Sequence, residues 1–135
     1  MPIRKRLLKD TFIIDNALVV DNVTSARLME QARLMSLGIH SMGVNNVVDA
    51  IEILEDDIHY FSLIVVDHDL PIMNGPQFVR QIRQMGVHRK ILGVCTNYNI
   101  DKWFMFREAG ANACIGKPFN DAILRETIEE LRNDL

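Results

Sequence analysis

The segment SLIVVDHDLPIMNG, residues 62–75, indicates both the fold and the place of the chemistry. Its first five residues are almost entirely apolar, which is typical of a parallel strand buried on both faces. The run stops at Asp67, and open α/β sheets bind ligands outside the carboxyl ends of their strands. Asp67 is therefore a candidate functional residue. The alternative is that this carboxylate only stops the strand and caps the loop that follows.

Composition limits the classes of protein to consider. The chain has 135 residues, 48% of them hydrophobic and 24% charged, which suits one globular domain with its own core. The net charge of −3 argues against a general nucleic-acid binder. No apolar run approaches the roughly 20 residues that cross a bilayer, and no signal-peptide pattern is present, so we expect no membrane partner. We expect a cytoplasmic protein, also nuclear if Arg4, Lys5 and Arg6 form a nuclear address and not a solvated arm.

Outward from residues 62–66, short apolar strands alternate with amphipathic helices. The other strands are predicted at residues 17–20, 39–44, 90–96 and 113–116. Helices are predicted between and after them, capped or started by Thr24 or Ser25, Asn45 or Asn46, Pro76, and Asn120 or Asp121. Five strands and five helices in alternation predict an α/β fold, a doubly wound five-stranded parallel sheet with helices on both faces.

Apolar spacing predicts which helix faces are buried. The predicted inner faces of the first three helices are Leu28, Ala32 and Met35; Val47, Ala50, Ile51 and Leu54; and Phe78, Val79, Ile82 and Met85. Three aromatic residues crowd the fourth helix, so at least one is expected to be exposed: Trp103, Phe104 and Phe106. Residues 1–16 form an N-terminal extension to the domain at 17–135, and Phe12, Ile13 and Ile14 are expected to dock on the domain.

Polar side chains stand where the well-defined strands end: Asp21 and Asn22, Asp67, Thr96, and Lys117. The carboxyl ends of parallel strands converge on one edge of the sheet. Neighbouring carboxylates repel each other unless a cation intervenes, and oxygen ligands suit Mg²⁺. A metal ion, an ammonium group and a hydroxyl group together fit the oxygens of a phosphoryl group, and a carboxylate can attack phosphorus to form an acyl phosphate.

These motifs resemble the receiver domains of two-component response regulators, the CheY-like family. The match covers about residues 17–135 and rests on Val20-Asp21-Asn22, the D-x-x-x-P-x-x-x-G loop at 67–75, Thr96, and Lys117-Pro118-Phe119. Within the family, the segments MNGPQ and RQMGVHRKILGV are most similar to the stand-alone plant receivers called type-C.

The resemblance implies a flavodoxin-like strand order 2-1-3-4-5 and a cis bond before Pro118. It implies that Asp67 accepts phosphoryl from a histidine-containing phosphotransfer protein or a histidine kinase. The implied Mg²⁺ ligands are Asp21, Asn22, Asp67 and the backbone carbonyl of Asp69, while Thr96 and Lys117 contact the phosphoryl oxygens. Such a protein is a signalling phosphoacceptor that catalyses its own phosphotransfer and dephosphorylation, and is not an enzyme with an external product.

Three residues depart from the family pattern. Asn22 stands at a usually acidic position, so we expect weaker Mg²⁺ binding. Cys114 stands at the switch position where the family usually has an aromatic ring, and Asn97 replaces a small residue beside Thr96. These departures leave two alternatives: a pseudo-receiver that binds partners without cycling phosphate, and a phosphohistidine phosphatase or phosphate sink.

Two further predictions concern residues near the site. Cys95 and Cys114 lie on neighbouring predicted strands and are expected to be buried free thiols and not a redox pair. His68 follows the phosphoacceptor position and is either solvated or adjusts the charge nearby. The oligomeric state stays open.

Overall fold

The structure is a computed structural model, and it describes residues 13–133. Strands and helices alternate along the described chain as β1 (Asn16–Val20), α1 (Thr24–Ser36), β2 (His40–Val44), α2 (Val47–Asp56), β3 (Leu63–Asp67), α3 (Gly75–Gln84), β4 (Lys90–Cys95), α4 (Ile100–Ala109), β5 (Ala113–Gly116) and α5 (Asp121–Asn133). The strands form one parallel sheet in the order β2-β1-β3-β4-β5. The predicted fold class and strand order are confirmed.

The strand register brings the predicted site residues to one edge of the sheet. Val20 pairs with Val66, and Asp67 pairs with Val94. Cys95 pairs with Gly116. The residues that directly follow β1, β4 and β5 therefore emerge beside Asp67, the last residue of β3.

Helices cover both faces of the sheet. Alternate strand residues, such as Leu18 and Ile64, pack with buried side chains of α2, α3 and α4. The residues between them, such as Val19 and Val65, pack with buried side chains of α1 and α5. This alternation is the pattern of a sheet buried on both sides, which explains why the central strands are continuous apolar runs.

Several local predictions are confirmed. The Asn46 side chain caps α2 by accepting a hydrogen bond from the backbone N–H of Asp49. Asn74 and Gln77 form a reciprocal capping box at the start of α3, with Pro76 in the first turn. The predicted inner faces of these two helices are buried or partly buried. In α4, Phe106 is fully buried and Phe104 is 52% exposed, so one of the three aromatic residues does face solvent.

The predicted inner face of α1 is wrong. Leu28 is 59% exposed and Met35 is 50% exposed, and Ala32 is exposed as well. The buried residues of this helix are Glu30 and Leu34. Glu30 and Leu34 are four residues apart, as Leu28 and Ala32 are, so both pairs fit one face of a helix. The prediction chose the pair without a charged residue, and that pair lies on the exposed face.

Two smaller expectations at the beginning of the chain also fail. Neither Thr24 nor Ser25 caps α1, whose N-cap is Val23 without a side-chain hydrogen bond. Ile14 is buried as expected, but Ile13 is 79% exposed and does not dock. Phe12 lies outside the described residues. Among residues 13–133, the helices are too short or too polar to cross a bilayer.

Candidate functional site

Lys117 joins two carboxylates at the carboxyl edge of the sheet. Its Nζ lies 2.9 Å from Oδ1 of Asp67 and 3.0 Å from Oδ2 of Asp21. Asp67 is 2% exposed and Asp21 is fully buried. The other Asp21 oxygen, Oδ1, accepts a hydrogen bond of 2.9 Å from the backbone N–H of Val23. Three residues that are far apart in the sequence therefore form one compact ionic cluster.

Burial and charge act in opposite directions on this cluster. Burial raises the pKa of Asp67, while the hydrogen bond from Lys117 opposes that rise. Burial alone would lower the pKa of Lys117, but its bonds to Asp67 and Asp21 outweigh burial and raise it. Lys117 is therefore held as an ammonium ion between the two carboxyl groups, which is the state needed to bind phosphoryl oxygens.

A third carboxyl group, which the sequence patterns did not reveal, lies against the cluster. Glu30 of α1 is 3% exposed, and neither of its carboxyl oxygens has a hydrogen-bond partner among the described residues. Burial, followed by the contact with Asp21, raises the pKa of Glu30 to about 9. This environment therefore favours the protonated form of the Glu30 carboxyl group. The only signal in the sequence was a glutamate four residues before Leu34 on the inner face of α1.

The other predicted site residues surround this cluster at its exposed side. Thr96 follows β4, is exposed, and lines a cleft of about 250 Å³ together with Lys117. Its carbonyl oxygen accepts a hydrogen bond of 2.7 Å from Nζ of Lys102. Asn22 is exposed beside Asp21, and the Asp69 side chain is 65% exposed. The Lys117–Pro118 peptide bond is cis.

The loop after Asp67 is held by a tight turn and a close backbone approach. Ile72 has φ of 77°, and the Met73 N–H donates to the Pro71 carbonyl at 2.9 Å, which together define a γ-turn of the rare, strained form. A Cβ on Gly75 would lie 2.3 Å from the Asp67 carbonyl oxygen. Glycine at position 75 therefore allows α3 to begin directly against the end of β3.

His68 is not the solvated histidine that was one of its two predicted states. Its side chain is 14% exposed, and its ring lies edge-on to Phe106 with centroids 5.9 Å apart. Nδ1 is 2.8 Å from Oδ1 of Asp69, and this contact lowers the pKa of Asp69. The structure favours the other prediction, that His68 adjusts the charge beside the phosphoacceptor position.

Cys95 and Cys114 are buried free thiols on neighbouring strands, as predicted. Their Sγ atoms are 3.9 Å apart. Burial raises the pKa of both thiols, most strongly that of Cys114. Because the thiolate is the reactive form, two buried thiols with raised pKa values are poor nucleophiles.

The donor set of the cluster fits Mg²⁺ better than a metal that needs many protein ligands. Among residues 13–133, no group of three or more His, Cys, Asp and Glu side chains is arranged to hold a metal ion. Asp21 and Asp67 offer two buried carboxylates, and the single positive charge of Lys117 neutralises only one of them. Mg²⁺ keeps several waters and is commonly bound through one or two carboxylates, so the two aspartates fit it.

Comparison with known sequences gives one consistent result. The family model described as "Response regulator receiver domain" matches residues 17–129. The Arabidopsis thaliana protein "Two-component response regulator 24" is 36% identical over 85% of this chain and 82% of its own length. The receiver-like match also extends to "Sensor histidine kinase RcsC" of Escherichia coli, 28% identical over 82% of this chain but only 12% of the kinase.

Solved structures agree with the sequence matches. The chemotaxis protein CheY4 of Vibrio cholerae superposes with a TM-score of 0.78 at 25% identity, covering 88% of this chain and 99% of that one. A response regulator of Chloroflexus aurantiacus, described as putative, shares the fold with a TM-score of 0.80 at 21% identity over 88% of this chain and 98% of its own. With the family model covering most of the described domain, the chain belongs to the response regulator receiver domain family.

Proposed function

We propose that this chain is a phosphoacceptor in a histidine-to-aspartate phosphorelay, in which Asp67 takes the phosphoryl group with the help of Mg²⁺. The donor is a histidine-containing phosphotransfer protein or a histidine kinase, and the relay acts in the cytoplasm, with the nucleus as the alternative. Receiver domains accept phosphoryl on an aspartate, and family membership supports the proposal. The observation that carries it is the buried Lys117 bridge between Asp67 and Asp21.

The transfer step follows from the chemistry of these groups. A carboxylate oxygen of Asp67 attacks phosphorus, the P–N bond to the donor histidine breaks, and its electron pair stays on the imidazole nitrogen. Lys117 then exchanges its contact with Asp67 for the phosphoryl oxygens, while Thr96 offers a hydroxyl from the same cleft. Lys117 is pre-positioned for this exchange because its ammonium group already lies against the attacking carboxylate.

Asp21, Asp67 and the backbone carbonyl of Asp69 are the groups that would hold Mg²⁺, with the amide of Asn22 as a neutral addition. When bound, Mg²⁺ supplies positive charge that neutralises the phosphoryl oxygens. Asn22 brings no charge to this set, so we propose that the metal binds more weakly here than at a site with two acidic residues after β1.

A second candidate is a pseudo-receiver that keeps the fold and no longer cycles phosphate. The neutral, exposed Asn22 favours it, since this residue adds no charge to a site that must attract a divalent cation. Cys114 also favours it, because the small buried thiol cannot swing as an aromatic side chain would. A third candidate, a phosphohistidine phosphatase or phosphate sink, differs only in how fast the aspartyl phosphate is hydrolysed.

Intact mass spectrometry after incubation with acetyl phosphate and Mg²⁺ separates these candidates. We expect the wild type to gain the mass of one phosphoryl group, Asp67→Ala to gain none, and the control Asp56→Ala, at an exposed position on α2, to behave as the wild type. A lasting adduct supports the relay receiver and rapid loss supports the phosphatase. No adduct in the wild type supports the pseudo-receiver, and an adduct that persists in Asp67→Ala contradicts the assigned phosphoacceptor.

The weak-metal expectation has its own test. Asn22→Asp adds a carboxylate beside Asp21, and we expect it to tighten Mg²⁺ binding by roughly tenfold because the ligand charge increases. Isothermal titration calorimetry of the two proteins would measure the change. Equal affinities would show that position 22 does not contribute to the metal site.

A further inference from the structure

Helix α4 begins with a residue that local helix preferences do not explain. Asn99 is the N-cap, so Lys102 occupies the third helical position. The amino end of a helix carries partial positive charge, and an acidic or amide side chain is favoured at this third position. The equivalent residues are Asp49 in α2 and Gln77 in α3. An ammonium group here weakens the helix start, and departures from local preference of this kind are expected at functional sites.

The Lys102 ammonium group holds the loop that carries the Thr96 hydroxyl. Its Nζ donates a hydrogen bond of 2.7 Å to the Thr96 carbonyl oxygen. Strand β4 ends at Cys95, whose own carbonyl accepts a hydrogen bond of 2.9 Å from the Lys117 N–H. Thr96 lies one residue beyond that strand, and Asn97, with a left-handed φ of 51°, then turns the chain away. Lys102 therefore supports the backbone at the point where the sheet ends.

The same ammonium group also acts on the neighbouring loop of the site. The pKa of Asp69 is lowered chiefly by its hydrogen bond with His68, and the positive charge of Lys102 adds to this effect. Asp69 follows β3 and Thr96 follows β4, so Lys102 lies near both loops that border Asp67. Lys102 comes from α4, whereas Lys117 follows β5, and the two cations therefore reach the site from different elements.

We propose that Lys102 is a positioning residue of the phosphoacceptor site, whose ammonium group fixes the Thr96 backbone so that the Thr96 hydroxyl meets the phosphoryl group on Asp67. This inference rests on the proposed function, because it assigns Lys102 to the same site. Lys102 does not touch the phosphoryl group itself. It acts through the Thr96 carbonyl, and the hydroxyl of Thr96 makes the contact with the phosphoryl oxygens.

Support for this backbone matters because Thr96 is exposed and is followed by a left-handed residue. Residues other than glycine adopt positive φ uncommonly, so the turn at Asn97 needs help from the surrounding structure. A group displaced by about 1 Å from its productive position costs up to about 100-fold in rate. Lys117 would stay in place without Lys102, and we therefore expect a loss of about tenfold.

Two variants separate the charged donor from the bulk of the side chain. Lys102→Met keeps an unbranched side chain without a donor, and Lys102→Arg keeps a charged donor. We expect the maximal rate of phosphorylation, at saturating acetyl phosphate and Mg²⁺, to fall about tenfold in Lys102→Met and less than about threefold in Lys102→Arg. Intact mass spectrometry over time would measure it. The matched control is Arg80→Met, which removes one positive charge at an exposed position on α3 and should react as the wild type does.

A second readout needs neither phosphodonor nor metal. The backbone ¹³C′ resonance of Thr96, measured by NMR, responds to the hydrogen bond that its carbonyl accepts. It should shift in Lys102→Met and remain near its wild-type position in Lys102→Arg and Arg80→Met. The melting temperature of Lys102→Met should stay close to that of the wild type, because the lost hydrogen bond and the relieved repulsion at the helix start offset each other. Slower transfer then cannot reflect a damaged fold.

Three outcomes would overturn the proposal. One is a maximal rate in Lys102→Met that matches the wild type. Another is a slower rate with an unchanged Thr96 resonance, which would mean that Lys102 does not act through this carbonyl. The third is an equal loss of rate in Arg80→Met, which would mean that positive charge anywhere on the protein is enough. A wild type that takes no phosphoryl group would refute the proposed function alone, because the Thr96 resonance would still show whether Lys102 holds this loop.

Discussion

Helices α1 and α3 lie on opposite faces of the sheet, and each follows a strand that ends at a carboxylate of the site. In α3 the buried residues are apolar and its start is a reciprocal capping box. In α1 the start has no side-chain cap, and one of the two buried residues is Glu30. Local sequence preferences therefore describe α3 well and α1 poorly. The difference shows that the apolar stripe with the most residues does not decide which way α1 faces, since the helix packs Leu34 into the core and buries Glu30 with it.

The largest effect is expected where α3 begins. In Gly75→Ala the new methyl group would lie 2.3 Å from the Asp67 carbonyl oxygen, and backbone cannot move aside cheaply. We expect a loss of about 3 kcal/mol in the free energy of unfolding, measured by urea denaturation. The matched variant beside α1 is Gly43→Ala, whose methyl group would meet side-chain atoms and not backbone, namely the amide end of Gln31 and the Cδ of Arg27. It should cost less than about 1 kcal/mol, and equal losses would contradict this distinction between the helices.

A smaller, pH-dependent effect is expected in α1. The pKa of Glu30 rises from 4.5 to about 9 on folding, so between these values the folded protein binds more protons than the unfolded chain. The stability of the wild type should therefore fall as the pH rises from about 4.5 toward about 9. Glu30→Gln removes this titration and should be more stable than the wild type at pH 8 by about 2 kcal/mol.

Urea denaturation at pH 5 and pH 8 would measure this difference. Glu52→Gln, at an exposed position on α2, is the control and should show no such pH dependence. A constant difference between Glu30→Gln and the wild type at both pH values would show that Glu30 is already ionised in the folded protein.

The smallest effect is expected on the outer face of α1. Leu28 is 59% exposed, so Leu28→Gln should change the free energy of unfolding by less than about 0.5 kcal/mol. The same replacement at the fully buried Ile82 of α3 should cost several times more, because it buries an unpaired amide. If the two variants lost comparable free energy of unfolding, Leu28 would be buried as first predicted, and the orientation of α1 described above would be wrong.

Much of the fold could be predicted because its signals are local. Each central strand is a continuous apolar run, and Asn46 and Pro76 stand at helix starts where their backbone preferences are strong. The positions of Asp67 and Lys117 were also predictable, since parallel strands end on a common edge. The ammonium group of Lys117 can reach the Asp67 carboxylate once the strands take the predicted order.

Other features depend on partners distant in the sequence. Arg83 does not belong to the predicted inner face of α3, yet it is partly buried and donates hydrogen bonds to the Gly110 carbonyl and to Asn112. His68 is covered by Phe106, which comes from a helix almost forty residues later. Ile72, in the short loop from β3 to α3, has a positive φ. Positive φ is rare for a β-branched residue, so the sequence gives no reason to predict it at this position.

By itself, the amino-acid sequence determined the α/β alternation, the order of the elements and the strand ends that carry Asp21, Asp67, Thr96 and Lys117, because these depend on short-range periodicity and on general rules for parallel sheets. Only the tertiary structure decided which way α1 faces, and so brought Glu30 to Asp21. A helix carries more than one stripe with the same spacing, and packing against distant parts of the chain decides which one is buried, here the contact of Leu34 with the core of the sheet.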